Sequence, residues 1–393
     1  MERAELRRLV LETGCAIERG GFIFLRDPKS SEVERDQFNT LMAKAEAASP
    51  DDVGWLCIPT GGTSGGLRFA RHDEQTLSTA VRGFYKHFGV NQVNALDVLP
   101  AHHVSGLMAR IRCLETGGRH VVWSWKQLEA GEWPTLPTKN DGWFLSLVPT
   151  QLQRLLANSK AVARLRDFRA VFIGGGPLWP ELAEAAAAAR IPVAISYGMT
   201  ETAAMVAAQK PEEFLKGDRS CGLPMSHVRI EIMDETTGEI VAQGVSGLVR
   251  ITGKNVLRGY WPEANADQLL LTEDLGRFDA AGRLTVLGRR DAVIITGGKK
   301  VNPAEVEEAL RASGEFDDVA VIGVPDAEWG SAVVACFSER AQPLDTAKIR
   351  TALAGLASYK LPKRFVPVSP WPRNAQGKLN RVALAKAAST QPA

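Results

Sequence analysis

Cysteine is scarce and scattered. Cys15, Cys57, Cys113, Cys221 and Cys336 form no C-x-x-C pair and no zinc-ligand spacing. An odd, dispersed set excludes a disulfide framework and points to the reduced thiols of a cytoplasmic protein. Histidine is also rare: there are six, and none follows His227. Long apolar runs are missing. The least polar stretch, residues 183–195, is broken by Arg190 and Pro192, so no segment reads as a bilayer span. Excess charge of either sign is absent: 47 Lys and Arg oppose 45 Asp and Glu, and no basic run stands out. That leaves no electrostatic footprint for nucleic acid and no membrane-binding patch. The first fourteen residues alternate charged and apolar side chains and lack the apolar core of a signal peptide. No internal repeat occurs, and the only biased stretch is an alanine-rich helix.

Glycine, by contrast, is concentrated where it can do chemistry. Ile58-Pro-Thr-Gly-Gly-Thr-Ser-Gly-Gly-Leu-Arg68 follows an apolar run that reads as a buried strand. Glycines let a backbone approach a ligand without Cβ obstruction. Thr60, Thr63 and Ser64 add hydroxyls, Arg68 and Arg71 add positive charge, and together these suit a polyphosphate. A Walker A loop would carry Lys where Leu67 stands. Gly62-Thr-Ser-Gly-Gly66 also fits the G-x-S-x-G elbow with Ser64 as nucleophile, but a triad histidine should follow late in the chain and none does. A glycine-rich turn without a ligand is the plainer alternative.

A chain of 393 residues exceeds the usual single core, so at least two domains are expected. Helical spacing covers residues 2–19 and 31–48, with Gly20-Gly21 between them. Asp73 is placed to N-cap a helix reaching about His87. Short apolar strands then alternate with helices up to Ser196, which predicts a buried, largely parallel sheet with helices on its faces. Ligands of such sheets sit at the carboxyl ends of strands. The reading puts the 60–66 loop, Gly174-Gly175-Gly176 and Tyr197-Gly198 there, at one sheet edge. From Gly222 to Gly288, strict alternation and turn signals predict a smaller antiparallel sheet. A last segment of helices, strands and a basic tail begins near Arg289.

Several residues invite chemistry and also admit plainer readings. In Tyr197-Gly-Met-Thr-Glu-Thr202, which should lead into a helix, Thr200 or Thr202 can bond a phosphate oxygen. Glu201 can hold Mg²⁺, or simply be an exposed residue at a capped helix start. Asp274 can accept two bonds from a ribose diol, or be a solvated turn residue. Arg289 can serve the same sugar or the surface. His103 is a base, a pocket wall or a packed residue, and Lys378 a ligand or a solvated cation.

Taken in order, these stretches resemble the adenylate-forming superfamily of acyl-CoA synthetases, peptide-synthetase adenylation domains and luciferases. The match runs from about residue 53 to 383. Thr60 to Arg68 (Thr60, Gly61, Gly62, Thr63, Ser64, Gly65 and Arg68) resembles its phosphate loop, with Arg68 where most members have Lys. Leu99 to Gly106 resembles its acyl-pocket motif, and Gly174-Gly175-Gly176-Pro177 its adenine loop. Tyr197-Gly198 with Thr200 and Glu201 resembles its Y-G-x-T-E motif. Asp274 matches the ribose aspartate, although Glu273 replaces the usual glycine before it. Arg289 and Asp291 match the ribose arginine and the hinge, Gly297-Gly298 a turn facing the CoA channel, and Lys378 the catalytic lysine. Within the superfamily the motifs most resemble the o-succinylbenzoate–CoA ligases of menaquinone and phylloquinone synthesis. One departure is that the phosphate loop begins only some sixty residues in, whereas most relatives have a longer region before it.

The resemblance implies an α/β fold. A large N-terminal domain, 1–288, has mostly parallel sheets flanked by helices and a small antiparallel β subdomain. A hinge at 289–291 leads to a small mobile α+β domain, 292–393. It also implies ATP, Mg²⁺ on Glu201, and CoA as co-substrate, a cytoplasmic setting and homodimerisation. Lys378, Glu201 and Thr200 would be catalytic, while His103 and Ser105 would meet the acyl substrate. The alternatives are a CoA ligase for another aryl or fatty acid and, more remotely, a serine hydrolase using Ser64.

Overall fold

A computed structural model describes residues 1–30, 32–43, 53–61, 67–136, 142–264, 267–340, 342–373 and 379–389. The largest sheet orders its strands Leu223–Pro224, Ala204–Ala208, Val193–Met199, Ala170–Ile173, Trp143–Leu147, Asn94–Asp97 and His120–Val122. The last five run parallel. Side chains of a strand alternate between faces, and here both faces are buried. Phe144, Ala170, Phe172 and Ala194 pack with Phe84 and Phe88 of helix Glu74–Phe88 and Ala109 and Cys113 of helix Val104–Glu115. Their neighbours Leu145, Val171, Ile173 and Val193 point the other way, against Leu152, Leu165, Leu182 and Ala186 of helices Pro149–Leu156, Ser159–Leu165 and Pro180–Ala188. The predicted parallel sheet between helical layers is present.

A second sheet orders Ala16–Arg19, Phe22–Leu25, Leu56–Gly61 and Leu67–His72. Its first pair corrects the reading of residues 2–19 as one helix. Helix Arg3–Leu11 stops early and Gly14 adopts φ +70°. Gly20 and Gly21, at φ +56° and +82°, close a two-residue hairpin between Arg19 and Phe22. Two positive φ values in succession match the right-handed twist of a hairpin, and glycine supplies them without strain. The following helix spans Glu32–Ala43, so most of the 31–48 expectation holds; residue 31 and residues 44–48 lie outside the described residues.

The predicted antiparallel sheet comprises Val228–Met233, Gly247–Gly253, Leu269–Phe278 and Leu284–Arg289. Beyond it, hairpin Ile294–Thr296/Lys299–Val301 precedes a mixed sheet of Val319–Asp326, Gly330–Ser338 and Arg364–Val368. Helices Pro303–Ala312, Thr346–Leu353 and Arg381–Ser389 cover it. Its two buried clusters draw only on residues 294–388. The architecture is therefore α/β, with a mostly parallel sheet, an antiparallel β unit and a small C-terminal α+β unit.

Candidate active site

The chemistry-bearing residues converge on one turn. Strand Val193–Met199 passes through a single 3₁₀ turn, Thr200–Thr202, and returns as the antiparallel strand Ala204–Ala208. The helix expected after Thr202 is absent. Ala203 and Ala204 take φ +50° and +82° to make so tight a reversal. A Cβ on Gly198 would lie 2.0 Å from the carbonyl oxygen of Ala204, so this position requires glycine. The turn is tied on several sides. The Thr202 hydroxyl donates to Ala204 O at 2.7 Å, Asn255 Nδ2 donates to Thr202 O at 2.8 Å, and the Leu257 N–H donates to Glu201 O at 2.8 Å. His72 Nε2 lies 2.8 Å from Thr200 O. A carbonyl only accepts, so this nitrogen carries the proton, and burial pulls the His72 pKa down to about 4.

Glu201 is buried rather than exposed, which corrects the plainer reading of it. Its Oε1 accepts from Thr60 Oγ1 and from Tyr260 Oη, each at 2.9 Å. Its Oε2 accepts no hydrogen bond among the described residues, and both hydroxyl donors fix the carboxylate's rotation. An oriented buried carboxylate with one open oxygen fits a hard, oxygen-preferring cation. Among the described residues, no group of three or more His, Cys, Asp or Glu is arranged to hold a metal ion by itself.

Thr60 arrives from the other sheet, which corrects the expectation that three loops share one sheet edge. Thr60 and Gly61 end strand Leu56–Gly61, which pairs antiparallel with Leu67–His72, placing Thr60 opposite Arg68. The strands that flank residues 62–66 are thus paired in a sheet separate from the parallel one. Gly62, Thr63, Ser64 and Gly65 lie outside the described residues. Arg68 is exposed, its guanidinium 4.5 Å from the centre of the Tyr260 ring. Arg71 does not add charge to the loop: it is fully buried and donates to the carbonyls of Val53, Gly54 and Pro262.

A second group of residues sits beside the same turn. Tyr197 Oη donates to Asp274 Oδ2 at 2.7 Å, and Arg289 Nη1 lies 3.4 Å from Asp274 Oδ1. Asp274 is a buried strand residue, not a solvated turn. Burial pushes its carboxyl pKa up; Tyr197 and Arg289 pull against this, while the negative charges of Asp291 and Glu201 add to the rise. Glu201 and Asp274 therefore belong to one electrostatic neighbourhood. Arg289 also grips Asp291 with two bonds, Nε to Oδ1 at 2.8 Å and Nη2 to Oδ2 at 2.7 Å. Glu273, where the resemblance implies glycine, forms a two-bond pair with Arg290 at 2.7 and 2.8 Å.

Gly174, Gly175, Gly176 and Pro177 follow strand Ala170–Ile173, directly beside strand Val193–Met199. Gly175 sits at φ +77°. His103 precedes helix Val104–Glu115, with Ser105 in its first turn; both are half-buried. His102, not His103, is the buried ring, 3.9 Å from Asp27. Gly297 and Gly298 form the turn of hairpin Ile294–Val301 at φ +53° and +73°, and the Gly297 N–H donates to Trp329 O at 2.9 Å. Lys378 lies outside the described residues. Tyr260, His72 and Arg258, which forms a buried ion pair with Asp73 at 2.7 Å, were not singled out by sequence. The cluster Leu257-Arg-Gly-Tyr-Trp261 was the available signal.

Residues 5–261 match the AMP-binding enzyme family and residues 305–378 the AMP-binding enzyme C-terminal domain. A 2-succinylbenzoate–CoA ligase of Geobacillus kaustophilus is 36% identical over 73% of this chain. The alignment spans 59% of that relative's length. One from Bacillus licheniformis is 34% identical over 86% of this chain and 71% of its own. The o-succinylbenzoate CoA synthetase MenE of Bacillus subtilis has been solved with ATP and magnesium ion; it superposes with a TM-score of 0.73 at 28% identity, covering 85% of this chain and 70% of that one. In complex with the acyl-adenylate intermediate, the values are 0.75 and 27%, covering 97% and 80%. By sequence over most of its length, this chain belongs to the AMP-binding enzyme family.

Proposed function

We propose that this protein activates a carboxylic acid, 2-succinylbenzoate, with ATP and transfers the acyl group to CoA, releasing pyrophosphate and AMP, in menaquinone or phylloquinone synthesis. The observation that carries the reading is Glu201, held by Thr60 and Tyr260 with one oxygen open, beside the Tyr197–Asp274–Arg289 group. The names of the relatives support the substrate.

In the first half-reaction a substrate carboxylate oxygen attacks the α-phosphorus, and the bond to pyrophosphate breaks. Both reactants are anions, so positioned donors must offset their repulsion. Thr60, Thr63, Ser64, the N–H groups of residues 61–65 and Arg68 cradle the departing phosphates. Thr200 donates to the α-phosphate, and Lys378 bridges it to the attacking carboxylate. Mg²⁺ on the open Glu201 oxygen would neutralise phosphate charge. Asp274 and Arg289 take the ribose, and the loop from Gly174 to Pro177 with Tyr197 and Gly198 takes the adenine. His103 and Ser105 contact the acid. In the second half-reaction the CoA thiol loses its proton and attacks the activated carbonyl, expelling AMP. Lys378 obstructs that approach. Residues 292–393 therefore rotate against 1–288 about 289–291, bringing Gly297-Gly298 to the thiol channel. The scattered thiols support a cytoplasmic setting, and homodimerisation, implied by the same resemblance, would be read by light scattering.

Pyrophosphate release with ATP and Mg²⁺ tests the reading, using o-succinylbenzoate, benzoate and a medium-chain fatty acid, with and without CoA. Release dependent on o-succinylbenzoate, with a thioester once CoA is added, is expected. Release with another acid keeps the reaction and removes this substrate; no release with any acid removes both.

A further inference from the structure

Tyr260 plays no part in the steps above, yet its ring meets Arg68 and its hydroxyl shares the Glu201 oxygen with Thr60. Residues 258–261 run along the free edge of strand Leu67–His72. The Arg258 N–H donates to Arg71 O, the Arg71 N–H to Gly259 O, and the Trp261 N–H to Phe69 O, at 2.7, 3.0 and 2.9 Å. Tyr260 pairs across from Ala70. Trp261 is anchored in the core, its indole N–H donating to Leu41 O at 2.8 Å and its ring meeting Phe22 and Phe24 edge-on. With Trp261 turned inward, Tyr260 projects to the opposite side of the strand, toward the hairpin and Glu201.

There its two parts serve different partners. The hydroxyl donates to the same Glu201 oxygen that Thr60 uses. The ring face lies under the Arg68 guanidinium. Burial first, then the negative charge of Glu201, holds the phenol pKa well above its ordinary value, so it stays a donor. A planar guanidinium stacks on an aromatic face better than a compact ammonium does. Arginine at position 68 and tyrosine at 260 are thus a matched pair, at the site where the resemblance implies lysine.

We propose that Tyr260 is a positioning residue that locks the Glu201 carboxylate for a divalent cation through its hydroxyl and holds Arg68 over the triphosphate through its ring. The proposal rests on the adenylate-forming reading. It predicts that the two roles separate by substitution. Tyr260→Phe keeps the ring and loses one charge-assisted hydrogen bond, so the Mg²⁺ concentration for half-maximal pyrophosphate release should rise about tenfold. At saturating Mg²⁺ its kcat should return to within about twofold of the parent, and its binding of ATP in EDTA should not change. Tyr260→Leu should also raise the KM for ATP. Arg68→Lys should weaken ATP binding in the parent but add little in Tyr260→Leu, because the two substitutions remove one shared contact.

Mn²⁺ binding in the presence of ATP, followed by electron paramagnetic resonance, gives a readout independent of turnover. Weaker Mn²⁺ binding by Tyr260→Phe, with melting close to that of the parent, supports the proposal. Unchanged Mg²⁺ and Mn²⁺ affinity with only a lowered kcat or melting temperature overturns it and leaves Tyr260 a packing residue. Should the parent release no pyrophosphate with any acid, the enzymatic reading falls, while the Mn²⁺–ATP measurement still decides the role of Tyr260. If Tyr260→Leu does not fold, the Phe variant alone carries the decision.

Discussion

His72 and His227 are both held neutral by burial, each with a pKa near 4 instead of 6.5. Arg112 and His87 push His227 further in the same direction. Neither of its ring nitrogens finds a hydrogen-bond partner among the described residues, and a Cβ on Gly83 would sit 1.8 Å from Nδ1. The unfolded chain takes up its imidazole proton near pH 6.5, whereas the folded chain does so only near 4. Between those values the unfolded state holds more protons, so stability falls as pH falls through that window, and the drop is complete below it. Each ring contributes about 3 kcal/mol to that loss. Urea midpoints of the parent should drop steeply between pH 7 and 4.5, and His227→Leu should remove roughly half of the drop that these two rings cause. An unchanged pH profile in His227→Leu would refute the assignment. Little of this was legible in the sequence, because a histidine beside a glycine 144 positions away leaves no local pattern. Asp73 was legible, since an N-cap acts on its own helix: its carboxylate accepts from the Thr76 N–H at 2.9 Å. Its second partner, Arg258, is 185 residues distant and was not.

Among elements, the turn between strands Val193–Met199 and Ala204–Ala208 sets the geometry of the whole site. The Tyr-Gly-x-Thr-Glu sequence was recognisable, but Ala203 to Ala208 is a short apolar run, and periodicity alone does not separate a buried strand from a helix there. Alanine's helical propensity favoured the wrong choice, and pairing with strand Val193–Met199 overrode it. The same weakness turned residues 16–19 into helix, whereas the parallel strands were readable because each is bounded by turn signals and flanked by long amphipathic helices. Gly198→Ala tests how tightly the turn is built. Its methyl would overlap the Ala204 carbonyl, which forces backbone movement because no flexible side-chain end is available to yield. A loss of about 1–3 kcal/mol in folding stability is expected. The displacement of Thr200 and Glu201 should cost at least about 10²-fold in adenylate formation. Wild-type rates in Gly198→Ala would mean that the turn tolerates far more movement than its close approach indicates.

At the scale of the whole molecule, side-chain contacts among the described residues join the part before residue 289 to the part after 291. Asn302 Nδ2 donates to Leu287 O at 2.8 Å, Lys300 approaches Glu235 at 4.0 Å, and the Arg311 guanidinium lies 5.5 Å from the Trp179 ring centre. Trp179 follows the Gly174–Pro177 loop, so the C-terminal part rests close to the proposed adenine site. Surface contacts of this kind contribute little individually and can exchange. Between the two parts, Arg289 is shared by Asp274 on the strand and Asp291 in the following 3₁₀ turn. The sequence pointed to this linkage only through family likeness, because a hinge has no composition of its own. Asp291→Pro removes both bonds to Arg289 and disfavours the helical backbone of Arg290 before it. If residues 289–291 are the pivot, this substitution should slow steady-state thioester synthesis by at least about tenfold while acid-dependent ATP–pyrophosphate exchange persists. Lys378→Ala should give the complementary result: adenylate formation is abolished, while thioester formation from supplied acyl-adenylate and CoA continues near the parent rate. The pair of variants is decisive because a general folding defect would depress both half-reactions alike. Equal loss of both in either variant, with a melting temperature close to that of the parent, would mean that the chain performs its two steps in one arrangement, without rotation about Asp291.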